Sequence, residues 1–76
     1  MKIMTADGHT YSGTPAQIVT QLNAGSMAHA ETSAAWMQEA ADRATMTSGT
    51  DVRFDTALHF LYDLSKAGQI KILEDA

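Results

Sequence analysis

Cysteine is absent from this 76-residue chain, proline and tryptophan occur once each, and only five residues are lysine or arginine. Each scarcity excludes something. Without cysteine there is neither a disulfide framework nor a thiolate zinc site to staple a small fold, so apolar burial must hold it. A reducing cytoplasm fits that usage. The five cations, Lys2, Arg43, Arg53, Lys66 and Lys71, are dispersed among nine acids for a net charge of −4. Phosphate neutralisation needs a basic stripe, which such spacing does not make. An acidic mimic of DNA would need dense carboxylates, and only Glu74 and Asp75 stand side by side. No apolar run reaches the length of a signal peptide or a membrane span, so a soluble, cytoplasmic protein is expected.

The length predicts one domain over residues 1–76, because a chain this short buries only about 60 to 65% of its unfolded surface. Near its start, Lys2 to Thr5 and Thr10 to Ser12 alternate around Asp7-Gly8, which is a hairpin turn signal. Ile3 and Tyr11 are the expected inward residues. Thr14-Pro15-Ala16-Gln17 is a capping box with proline at the first helical position, and it predicts a helix over 15–24 that ends at Gly25. Ile18, Val19 and Leu22 share a face of it. Residues 25–32 have no clear period and predict a loop. A second helix is expected over 33–44, capped by Thr32 or Ser33, with Trp36, Met37, Ala40, Ala41 and Ala44 inward. Residues 45–54 are rich in threonine and turn formers. They predict a loop with at most a short strand, Met46 and Val52 facing inward.

Residues 53–73 organise the remainder. Asp55 is a candidate N-cap, Gly68 suits the left-handed position past a helix end, and Lys66 meets the negative end of the dipole. After Gly68 the period falls to two, with Ile70 and Ile72 on one side. On a helical wheel Leu58, Leu61, Leu64, Ala57, Phe60, Ala67 and Tyr62 span about 220°, twice what a surface helix needs. His59, Asp63, Lys66 and Ser65 are left for solvent. Either this helix is sandwiched between a sheet and the other two helices, or its surplus face meets a partner.

Catalytic and ligand-binding signatures are sparse. None of His9, His29 and His59 has the two-ligand spacing of a metal-binding helix. Asp55, His59 and Asp63 recur every four residues, so a carboxylate could orient an imidazole as base or ligand. A solvated helix face explains the same spacing, since no nucleophile or third ligand accompanies it. No glycine-rich phosphate loop and no nucleophile elbow occurs. The expectation is therefore a non-enzymatic protein without metal or cofactor. Trp36, Phe60 and Tyr62 are the candidate protein-binding residues, because aromatic side chains dominate interaction hot spots. For Trp36, at the edge of its apolar arc, a half-buried core residue with a wet indole amide is the first reading and an interface anchor the rival.

The pattern Lys2-Ile3 and Thr5, Asp7-Gly8, Thr10-Tyr11, Gly13-Thr14-Pro15, Ile18-Val19, Arg53, Phe60-Leu61, Asp63-Leu64 and Gly68 to Ile72 resembles small uncharacterised proteins of bacterial phages and mobile elements. It covers both ends of the chain and little of the middle. The resemblance implies an accessory factor acting by protein contact, with inhibitors of host defence, including anti-CRISPR proteins, as one such class. Taken together, the expectation is an α+β domain of hairpin, helix, helix, loop, helix, strand order, its C-terminal strand joining the hairpin and its helices covering one face. Its expected role is protein binding, with a partner or as a homo-oligomer such as a dimer. The alternatives are a nucleic-acid-associated regulator using Arg43, Arg53 and Lys66, and a small hydrolase or metal-binding protein built on Asp55, His59 and Asp63.

Overall fold

A computed structural model describes residues 1–26 and 30–75. His29, with Met27 and Ala28 of the expected loop, lies outside the described residues. The elements run β1 (Lys2–Thr5), β2 (Thr10–Ser12), α1 (Pro15–Ala24), α2 (Ser33–Ser48), α3 (Ala57–Lys66) and β3 (Ile70–Glu74). The strands form one sheet in the order β2-β1-β3, antiparallel throughout. This is the expected α+β class.

Ile3 lies opposite both Tyr11 and Ile72, which sets the inward face of the sheet. Ile3 is fully buried, and Tyr11, Ile70 and Ile72 pack against the core. Met4 pairs with Thr10 and Lys71 on the opposite face. Between Lys2–Glu74 and Ile3–Ile72 the register shifts, so Leu73 is an extra residue without a partner on β1.

α1 begins as its sequence dictates. The Thr14 hydroxyl accepts from the Gln17 amide at 3.2 Å while the Gln17 side chain accepts from the Thr14 amide at 2.9 Å. α1 lies on β2 and α3 on β3, while α2 packs across α1 and α3 and touches no strand among the described residues. α3 therefore lies between the sheet and α2 with α1 at its side, which accounts for its wide apolar arc. Phe60 and Leu61 are fully buried and Leu64 nearly so.

Three expectations are corrected here. α2 runs one turn further than Ala44, to Ser48, and stops at Gly49 in the left-handed region at φ 74°. The threonines 45 and 47 do not break it, because Gly49 rather than composition marks the end. The extra turn points Met46 outward, 87% exposed, whereas Val52 is buried as expected. The N-cap of α3 is Thr56, whose hydroxyl accepts from the His59 amide at 3.1 Å, and not Asp55. Asp55 instead accepts from the Thr56 amide at 2.9 Å. Gly68 has φ 78° past the end of α3, as its position predicts. Among the described residues no helix is long and apolar enough to cross a membrane.

Candidate functional site

The irregular return from α2 to α3 is fixed by polar contacts that no periodicity announces. The Thr45 hydroxyl accepts from the Val52 amide at 3.2 Å, which seats Val52 in the core. One residue on, Asp63 accepts from the Arg53 backbone amide at 3.0 Å and from its guanidinium at 2.8 and 3.2 Å. Asp63 was expected in solvent, yet it is only 4% exposed. Its place beside Phe60 and Ala67 on the helix puts it under the returning chain, where two forked N–H donors and an amide satisfy a buried carboxylate. Those bonds hold the Asp63 carboxyl down at about 2, below the ordinary aspartate value of 3.8. The hydrogen bond to Asp63 raises the Arg53 pKa in turn. Leu58, assigned by the wheel to the apolar arc, stands at its uncovered edge and is 38% exposed.

This latch dismantles the recurrent acid–imidazole–acid set. Asp55 and His59 do meet, with Nδ1 at 3.1 Å from both carboxylate oxygens, and the hydrogen bond from His59 lowers the Asp55 pKa. Asp63 does not join them, since its carboxylate is committed to Arg53. Among the described residues no three His, Asp or Glu side chains cluster in a way that could hold a metal ion. His9 pairs with Asp7 at 3.0 Å in the exposed β1–β2 turn, where the Thr5 hydroxyl also donates to Asp7 and lowers its pKa. Engagement of Arg53 also removes one of the three cations of the nucleic-acid reading.

The candidate binding aromatics do not form a surface. Trp36 and Phe60 pack edge to face inside the core, with ring centroids 5.8 Å apart and planes at 72°. The indole amide of Trp36 is not wet, as half-burial would have it. It is buried and lacks a hydrogen-bond partner among the described residues. Tyr62 stands apart, half-buried, its hydroxyl donating to both Asp75 carboxylate oxygens at 2.6 and 2.8 Å. That bond raises the Tyr62 pKa.

What remains open on the sheet is the face of Thr10 and Lys71, both exposed, and the margin. β2 is short, α1 lies on it, and the Ser12 carbonyl accepts from the Gln21 side chain at 3.1 Å. β3 is longer and pairs on one side only. Its Lys71 and Glu74 are exposed and its bulged Leu73 is 40% exposed. Ile70 to Ile72 were legible as a strand, but the bulge has no sequence signal. Comparison with family models, with curated proteins and with solved structures finds no match. The fold and its margins therefore define the chain only as a small α+β domain whose outer strands, β2 and β3, each pair on one side among the described residues.

Proposed function

We propose that the domain is a non-enzymatic protein-interaction module of the cytoplasm, and that its contact surface is the outer edge of β3. An extended segment of a partner, or β3 of a second copy, joins the sheet there as a fourth strand. The supporting observation is the position of β3 at the end of the sheet order β2-β1-β3, which leaves one side of its backbone without a strand partner among the described residues. A row of such amides and carbonyls templates strand addition. Leu73 supplies an exposed apolar side chain along that edge, and Lys71 with Glu74 supplies charges that set register and choice of partner. The resemblance to small phage and mobile-element proteins supports an accessory role such as inhibition of a host-defence protein.

Site-specific photo-crosslinking tests the reading. A photoreactive residue at position 73 should give a discrete adduct, to the chain itself or to one partner. The same group at Gln38, on the exposed face of α2, should give none. Equal adducts from both sites, or none from position 73, would contradict it.

A further inference from the structure

Between α2 and the junction of α3 with β3 lies a groove of about 340 Å³, lined by Ala40, Arg43, Ala44, Thr47, Leu64 and Gln69. Positions 40, 43, 44 and 47 recur at helical spacing, so α2 presents them on one face. The floor is apolar, made by the methyl groups of Ala40 and Ala44 and by Leu64. The rim is polar, and its three side chains are unspent. Among the described residues, Arg43, Thr47 and Gln69 make no side-chain hydrogen bond or ion pair, and Glu39, four residues before Arg43, does not reach it.

We infer that this groove is a binding site for a small monocarboxylate carrying a compact apolar group. A planar guanidinium takes a carboxylate through two parallel N–H donors. The Thr47 hydroxyl and the Gln69 carboxamide are further donors on the same rim. The volume lies at the lower end of the range for small-molecule pockets, about 300 to 1,000 Å³. Charge decides between anions. The chain carries a net charge of −4, and the groove holds one cation. A dianion such as phosphate would meet more general repulsion with no second cation to offset it. A monoanion is matched one to one. The same chemistry is offered by a free organic acid and by the terminal carboxylate of a protein whose last residue is apolar.

The test uses the full chain, ¹⁵N-labelled, titrated separately with benzoate, benzamide, N-acetylleucine and N-acetylleucinamide. Benzoate should move the amide signals of residues 40–47 and 64–69 saturably, with benzamide about tenfold weaker or more. If N-acetylleucine binds more tightly than benzoate the source is a chain terminus, and in the reverse order it is a free acid. Arg43→Gln should weaken both carboxylates about tenfold and leave signals remote from the groove in place, because Arg43 is exposed and unpartnered. Thr47→Val should cause a smaller loss. No saturable shift with either carboxylate, equal response to the neutral amides, or wild-type binding by Arg43→Gln would overturn the inference. Edge pairing at β3 is independent of it, since neither carboxylate occupies the strand's backbone groups.

Discussion

Asp63 is the residue whose environment departs furthest from what its position on a helix suggests. Three donors from Arg53 satisfy it, one from the backbone and two from the guanidinium. Asp63→Asn removes the charge that binds them and should cost about 1.5 to 3 kcal/mol in urea unfolding, the range for hydrogen bonds to charged groups. Arg53→Ala should also destabilise, and the double variant should lose less than the two single losses added, because both act on one set of bonds. Additive losses would show that the latch does not couple them. The pH dependence has a definite sign. The Asp63 pKa is lowered from 3.8 to about 2 on folding, so the folded state binds this proton more weakly than the unfolded chain. Its stabilisation is present in full above about pH 4 and disappears as pH falls through about 2. The stability difference between wild type and Asp63→Asn should therefore shrink across that window, measured by denaturant unfolding at successive pH values. Asp7 and Asp55 are also lowered, and they act alike in both proteins, so the difference isolates Asp63.

At the scale of elements, caps and turns decide where the helices lie. Thr14→Ala should destabilise by about 1 kcal/mol, since one hydroxyl covers the Gln17 amide at the start of α1. Thr56→Ala should cost about the same and more than Asp55→Ala, because the threonine is the cap of α3. The reverse order would restore Asp55 to that role. Gly68→Ala places a side chain at φ 78° and should cost about 1 to 2 kcal/mol from backbone strain. Much of this was legible in sequence because these signals are local. Thr14 to Gln17 announces a helix start, Gly68 a stop, and Ile70 to Ile72 a strand. What was not legible depends on contacts made at a distance in the chain. The extra turn of α2 hid behind threonines, and Asp63 looked solvated because Arg53, ten residues earlier, is invisible to a wheel. Trp36 read first as core with an interface as rival, and Phe60 stood on the surplus arc of α3, until burial placed both inside. The arc of α3 was correctly seen to be too wide, yet only the layering of α2 over α1 and α3 shows what covers it.

For the whole molecule, three layers bury most of the large apolar side chains among the described residues. The sheet meets α1 and α3, α2 closes over them, and the core runs from Ile3 through Phe60 to Trp36. Phe60 and Ala67 of α3 are thus taken up from within, and the large apolar side chains left exposed are Met46, Phe54, Leu58 and, on β3, Leu73. An uncovered edge is a liability that small proteins usually blunt with charge or a bulge, and β3 has Lys71, Glu74 and an unpaired Leu73. The same features leave a partner-specific edge once a complementary strand arrives. Residue-resolved amide hydrogen exchange addresses this most directly. In the dilute isolated domain, the β3 amides that point away from β1 should exchange nearly as fast as those of a loop, while those paired with β1 are protected. On association, at raised concentration or with a cross-linked partner, those outward amides should become protected while the exposed face of α2 is unchanged. Uniform protection of β3 in the dilute monomer, or no change at β3 on association, would contradict the edge-pairing account.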